Sequence, residues 1–279
     1  MSMVGQCIRL LARSCEFLGS GFYRLAHFFG GFLPVLFSSE QLSSLVRNNY
    51  RSVYSNEQAQ RQLAEGEQYL YLEPWETEVL DRYKVHSGSM LVLGSGWGRE
   101  SIAIARRGVT VVGVDANEVA MHTVQQVAQK LGVPAHFHQA DFLELPYAAA
   151  SFDYALLSAT MYSAIPGQSR RQTFLADLGR LLKPDGLAIL SFAPEQRPVS
   201  RTKTICTRLN TVLAKLPGTN PAYQPGDDCG GGHFMHTFQD EDEIRQELMG
   251  AGVSIRELNW ARGYAVVAYP PGTVKARIS

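Results

Sequence analysis

The stretch Met90–Asn117, MLVLGSGWGRESIAIARRGVTVVGVDAN, constrains this chain more than any other. Leu91, Val92 and Leu93 form a short apolar run suited to a buried strand. Gly94, Ser95, Gly96, Trp97 and Gly98 then remove side chains where a backbone must pass close to a ligand. Ile102, Ala103 and Ile104 begin a small-residue helix whose first amides lack intrahelical partners and face the same ligand. Gly108 and Val109 lead into a second strand, Val111 to Val114, which ends at Asp115. Asp115 lies 21 positions after Gly94, close to the roughly 20-residue offset at which a carboxylate meets a ribose hydroxyl. Strand, glycine turn, helix, strand and acid in that order predict a nucleotide-type ligand at the edge of a parallel sheet.

A length of 279 residues suits one α/β domain with extensions. Lys plus Arg equals Asp plus Glu at 26 each, so no basic field announces a nucleic-acid partner, and that class is disfavoured. Cys7, Cys15, Cys206 and Cys229 form no CxxC pair, as expected of reduced thiols in a cytoplasmic protein.

The strand and helix alternation continues beyond Asp115. Val119 to Leu131 reads as a helix, Pro134 to His138 as a third strand, Ser151 to Leu157 as a fourth, and Leu187 to Phe192 as a fifth. Phe174, Leu175, Leu178, Leu181 and Leu182 define the helix between the last two, with Arg170 and Arg171 at its entrance. Cations there oppose the helix dipole, so both are read as either solvated or paired with an acid or a substrate carboxylate, solvation being preferred. Beyond Phe192 the alternation lapses, and residues 193–237 read as a cap-like insertion with a helical segment around Ile205 to Leu216. Thr237 and Asp240 resemble a capping box opening the helix Glu241 to Ala251, and two strands, Val253 to Leu258 and Tyr264 to Tyr269, form a terminal hairpin.

Residues 1–83 read as a helical extension or lid on a main domain at 84–279. Ile8, Leu11, Cys15, Leu18, Phe22, Leu25, Phe29, Phe32 and Leu36 recur at helical spacing, with charges interrupting every apolar run. No stretch is therefore apolar over the roughly 20 residues of a membrane span. The stripe packs on the main domain, on a second subunit in a homodimer, or on a membrane surface through residues 1–37. Ser39 and Ser55 are cap candidates, with helical segments at Glu57 to Leu63 and Glu73 to Leu80. Tyr50, Tyr54, Tyr69, Tyr71 and Trp75 either pack as aromatic core or place a few rings over a charged cofactor centre.

With these residues in view, the chain resembles the class I S-adenosylmethionine-dependent methyltransferase superfamily over roughly Leu70 to Pro270. LVLGSGWGRES is similar to that family's glycine loop, VVGVDAN to its strand ending in the ribose-binding acid, QADF to the acid and apolar pair at the adenine, and LLKPDGLAILSF to its turn into the fifth strand. The resemblance implies a Rossmann-like, doubly wound seven-stranded sheet of order 3-2-1-4-5-7-6 with the seventh strand antiparallel. It implies S-adenosylmethionine as cofactor, held by Gly94, Ser95, Gly96, Gly98, Asp115, Ala116, Asn117, Asp141, Phe142, Ser158 and an aromatic lid residue, Tyr54. The rival NAD-dependent oxidoreductase prefers GxGxxG, whereas Gly94, Gly96 and Gly98 are GxGxG. The family commonly carries an acid where this chain has Val92, and an inactive, cofactor-binding or partner-binding relative is the alternative that this departure keeps open.

Methyl transfer from a sulfonium is an in-line displacement that mainly demands alignment and exclusion of water. The acceptor expected is a small or lipid-like molecule, an isoprenoid or lipid if the chain is peripheral to a membrane. His233 and His236 would face one way on a helical turn, as a structural bridge, as a base or as metal ligands. The adjacent Asp227 and Asp228 fit no ligand spacing, so no metal is expected. Tyr162 and Ser163, at the end of the fourth strand, either touch the acceptor or satisfy the local backbone.

Overall fold

The computed structural model describes residues 30–52, 55–196, 201–229 and 233–270. Seven strands form the main sheet: β1 (Ser89–Leu93), β2 (Thr110–Asp115), β3 (Ala135–Gln139), β4 (Phe152–Leu157), β5 (Leu182–Ser191), β9 (Ser254–Asn259) and β10 (Tyr264–Ala268). Their order is β3-β2-β1-β4-β5-β10-β9. The pairs from β3 to β5 are parallel, and β10 is antiparallel to both β5 and β9. The seven-strand order inferred from the resemblance is therefore the one found. Three short strands, β6 (Ala193–Pro194), β7 (Asp227–Asp228) and β8 (Met235–Phe238), make a second small sheet within the insertion.

The unbroken apolar run of β1 has a simple cause: both faces of the sheet are covered. Leu91 and Leu93 join Ala155, Leu157 and Leu190 in the core under α7 (Gln168–Leu181) and α9 (Glu241–Gly250). Met90 and Val92 face the other core, with Ile102, Val124 and Val266, under α4 (Pro74–Arg82), α5 (Arg99–Ala105) and α6 (Glu118–Leu131). A third, smaller core holds the cap. In it Leu42 and Val46 of α2 (Ser39–Ser52) meet Cys229 and Phe234 of the insertion, with Leu33 of α1 (Leu33–Leu36) and Phe37 against them.

Several local expectations need correction. The capping box before α2 is made by Ser38, whose hydroxyl accepts from Gln41 N while Gln41 Oε1 accepts from Ser38 N; Ser39 is already helical. Ser55 does cap α3 (Asn56–Glu65), with Gln58 completing the box. The cap of α9 is Asp240, which accepts from Glu243 N at 2.8 Å, while Thr237 belongs to β8. The insertion's helix, α8, runs Arg201–Leu213. Residues 1–29, with most of the apolar stripe, and Tyr54 lie outside the described residues. No described helix is long and apolar enough to cross a membrane.

Candidate active site

The strand ends β1, β2 and β3 open into one cleft of about 490 Å³, counting the part that is open to solvent. Its floor is Gly94, Asp115, Ala116, Asp141, Phe142 and Leu143. Its other walls are Ser43, Val46, Arg47 and Tyr50 of α2, and Met161, Ala164, Ile165 and Pro166 from the segment after β4. A cleft outside the carboxyl ends of parallel strands is where open α/β sheets place their ligands.

The polar half is built by backbone hydrogen bonds. Gly94 N and Ser95 N both donate to Val114 O at 2.9 Å, turning the chain tightly back over β2. Gly98, at φ +77°, starts α5 in the left-handed region, and a Cβ there would stand 2.2 Å from Val124 Cγ2. Only glycine satisfies both the backbone and the packing at that position. Asp115 accepts from Gly96 N at 3.0 Å and from Asn117 N at 2.9 Å, one bond on each oxygen. Burial pushes its pKa up, against those backbone amides, which pull it down. A carboxylate offers about four lone-pair positions, so acceptor capacity remains for hydroxyl groups of a ligand.

Asp141 receives Leu143 N on Oδ1 at 3.0 Å and Arg47 Nε near Oδ2 at 3.3 Å. Asn117 reaches the same helix: its side-chain oxygen caps α6 through Ala120 N at 2.9 Å, while Nδ2 donates to Tyr50 O at 3.2 Å and Arg51 O at 2.7 Å. Two strand-end residues therefore hold α2 across the cleft. The aromatic contributed from this helix is Tyr50, whose phenol is pushed up by burial and by the Asp115 charge and stays protonated.

Of the residues expected from sequence, the cleft brings together Gly94, Asp115, Ala116, Asp141 and Phe142, with Asn117 bracing its edge. Ser95, Gly96, Gly98 and Ser158 shape the loops instead. The Ser95 hydroxyl bonds to Ser101 at 2.6 Å, and Ser158 donates to the buried Glu100, joining the turn after β1 to the turn after β4. Tyr69 and Tyr71 sit on the outer side of the glycine loop, where Arg99 lies 5.2 Å over the Tyr71 ring, and Trp75 stacks on Tyr264 at 4.9 Å. For these three the packing reading is the one found, and the lid reading keeps Tyr50: α3 and α4 flank the sheet, and among the described helices α2 is the one that crosses the mouth.

None of the three candidate catalytic residues lines the cleft. Tyr162 is wholly buried, and its hydroxyl donates to Glu247 at 2.6 Å. Burial and the Glu247 charge hold that phenol far above its ordinary range. His236 belongs to β8, not to a helical turn, so it does not share a face with His233 in the way expected. Wholly buried, it places Nδ1 2.7 Å from Asp227 and Nε2 3.2 Å from Glu243 Oε1. Desolvation pulls its pKa down, but the two carboxylates outweigh it and the net shift is upward. The geometry gives His236 the bridging role between insertion and α9. Among the described residues, no three His, Cys, Asp or Glu side chains are grouped to hold a metal ion.

Arg171 is not solvated as preferred but takes the other reading, pairing with an acid. It is fully buried and donates to Glu247 through Nε at 2.8 Å and Nη2 at 2.7 Å, and through Nη1 to Ile165 O at 3.2 Å. Sequence reading missed this network and the α2 wall. The alternation of Leu42 and Val46 with Arg47 and Tyr50 was the available signal, but it reads as any amphipathic helix would.

Comparison with known proteins agrees with this geometry. Residues 90–186 match the family model described as a methyltransferase domain. An uncharacterized methyltransferase of Synechocystis sp. is 31% identical over 102 residues, which are 36% of this chain and 45% of that protein. The match thus spans under half of that relative's length. Among solved structures, the Burkholderia thailandensis 1,6-didemethyltoxoflavin-N1-methyltransferase superposes with a TM-score of 0.52 at 19% identity, covering 83% of this chain and 89% of that one. A Methanosarcina mazei S-adenosylmethionine-dependent methyltransferase gives 0.50 at 21% identity, covering 72% and 99%. At these identities the two structures speak for the fold. The glycine loop, the acid ending β2 and the strand order thus agree with the methyltransferase domain matched at residues 90–186.

Proposed function

We propose that this chain transfers the methyl group of S-adenosylmethionine to a small acceptor with an apolar body and a nucleophile that needs no enzymic base. The carrying observation is the division of the cleft. Gly94, Asp115, Ala116 and Asp141 make a polar floor at three strand ends, and Val46, Met161, Ala164, Ile165 and Pro166 make an apolar wall opposite.

The residues present fit the cofactor. Asp115 keeps lone pairs for ribose hydroxyls after its two backbone bonds. Asp141 and Phe142 stand at the end of β3 with an acceptor oxygen and an aromatic ring for the base. Gly94, at φ +73°, leaves the backbone bare beside Met161. When bound, the cofactor supplies an electrophilic methyl on a sulfonium for in-line displacement. The protein's own contribution is alignment and dryness: α2, tethered by Asn117 and Arg47, closes one side, and the Met161–Pro166 segment closes the other.

The titratable groups that line the cleft are Arg47, Tyr50, Asp115 and Asp141. The two acids are engaged with backbone amides, and Tyr50 is a donor. A phenol or thiol entering as its anion suits that inventory, because it requires no proton acceptor at the methyl. Calorimetric titration with S-adenosylmethionine, followed by incubation of methyl-labelled cofactor with phenolic, thiol and lipid pools, tests the reading. Cofactor binding and label on a phenol or thiol are expected. Absence of cofactor binding would sink the assignment.

Two further readings have their own observations. The apolar wall also fits a lipid or isoprenoid acceptor, which label in the lipid pool would favour. Val92 lies wholly buried in the apolar core where the family commonly places an acid, which motivates a non-catalytic binding protein. Tight cofactor binding with no labelled acceptor in any pool would support that one.

A further inference from the structure

α8 and the turn that closes it carry an apolar stripe that the fold leaves uncovered among the described residues. Ile205, Leu209, Val212 and Leu216 are 56%, 47%, 63% and 53% exposed. The spacing of four and three residues sets Ile205, Leu209 and Val212 on one side of the helix, and Leu216 follows in the turn beyond it. The inward face is fastened elsewhere. Cys206 and Asn210 are buried, Asn210 Nδ2 donates to Gly31 O at 2.7 Å, and Asn220 beyond the helix donates to Pro34 O at 2.9 Å. The stripe therefore faces outward, beside an α1 segment whose Leu36 is also exposed.

Charge selects the occupant. Between Arg201 and Leu216 the sequence has four cations, Arg201, Lys203, Arg208 and Lys215, and no acid. Lys203 pairs with Glu195 at 2.6 Å. Arg208, on the helix beside the stripe, and Lys215, in the turn beside Leu216, are exposed and form its basic flank, with no ion pair among the described residues. Residues 1–29 offer three arginines against one glutamate, and a second copy would bring the same cations, so both meet this flank with like charge. An anionic lipid surface satisfies the stripe and the flank together.

We propose that α8 docks this protein on an anionic membrane surface, its apolar stripe at the acyl boundary and Arg208 and Lys215 among the headgroups. The seat of α8 is continuous with the cap over the cleft. Gly31 and Pro34 lead through Leu33 and Phe37 into the small core shared by α2 and Phe234. Docking thus brings the cap, one wall of which is α2, to the source of a lipid-like acceptor. The docking itself does not depend on methyl transfer.

Flotation of the full chain with vesicles of phosphatidylcholine, with and without phosphatidylglycerol, tests this. Binding to the anionic vesicles, weakened by salt, is expected. Paired Leu209→Glu and Val212→Glu substitutions, at exposed positions, should reduce binding at least about tenfold. Arg208→Glu with Lys215→Glu should reduce it about fivefold or more for each cation. S-adenosylmethionine affinity measured in parallel should stay at the wild-type value in all variants, so that loss of the enzymatic reading would be seen separately. Failure of the wild type to bind anionic vesicles would overturn the proposal. Full binding by the Leu209→Glu, Val212→Glu protein would do so too, by assigning the contact to residues 1–29. A wild-type dimer that those two substitutions dissociate would assign the stripe to a second copy instead.

Discussion

Two arginines stand behind the two walls of the cleft, and they are built differently. Arg99, behind the glycine loop, forks onto Glu76 at 2.8 and 2.9 Å and onto Glu100 at 2.6 Å, keeping a partly exposed side chain. Arg171, behind the Met161–Pro166 segment, is sealed, and its carboxylate partner Glu247 is 76 residues away in sequence. The first cluster joins α4 to α5 on one flank of the sheet. The second gathers α7, α9, the segment after β4 and, through Gln224, the insertion. The glycine-loop wall is thus braced by a cluster with a partly exposed arginine, whereas the Met161–Pro166 wall depends on one fully desolvated ion pair. A buried pair of this kind adds little net stability when intact and costs heavily when halved, because the remaining charge has no solvent.

The sharpest way to break that contrast is Arg171→Met, which strands Glu247. A loss of about 3–5 kcal/mol in denaturant unfolding is expected, and Arg171→Met with Glu247→Leu should recover most of it. If the single variant were as stable as the wild type, the Met161–Pro166 wall would not hang on this pair. Next in size is Gly98→Ala on the cofactor wall. A left-handed backbone and a Cβ 2.2 Å from Val124 should together cost about 2–4 kcal/mol. Adding Val124→Ala should relieve the packing share and leave the backbone share.

Asp115→Ala separates binding from folding. Loss of a charged acceptor should weaken S-adenosylmethionine about 10- to 100-fold by calorimetry, and unchanged affinity would move the ribose elsewhere. Asn117→Ala should cost about 1 kcal/mol through the lost cap of α6. It should also speed cofactor release in stopped-flow measurements, because α2 loses its tether at Tyr50 and Arg51. The smallest expected effect is the pH dependence of His236. Its folded pKa is raised above the ordinary 6.5, so its stabilising contribution is complete below about pH 6.5 and is lost as pH rises through the folded value. Asp227, Glu243 and Arg171 are the charges that face it. Asp227→Asn should flatten that slope in thermal unfolding across neutral pH.

Legibility followed the same division. Gly94, Asp115, Ala116, Asp141 and Phe142 were readable because each sits at a strand end, where chain order fixes position along the sheet edge. The parallel sheet was readable because burial on both faces writes continuous apolar runs such as Leu91 to Leu93. For Arg171 solvation was preferred to an acid partner because its helix entrance argues for solvent and nothing in the local sequence shows Glu247. His233 and His236 looked like neighbours on a helix because a spacing of three carries no mark of the strand that β8 forms against β7. Tyr162 looked available because a loop after a strand end is usually open, and only the packing of Phe238 at 6.2 Å and of Glu247 encloses it.

The sequence by itself determined the sheet, the glycine turn and the acid of the cofactor side, since those rest on contacts close in the chain and on periodicity. Only the tertiary structure decided the opposite wall: which helix crosses the cleft, which charges are buried behind it, and which face of α8 the described residues leave uncovered. Those outcomes depend on residues far apart in sequence sharing one desolvated volume, a condition that no local pattern records.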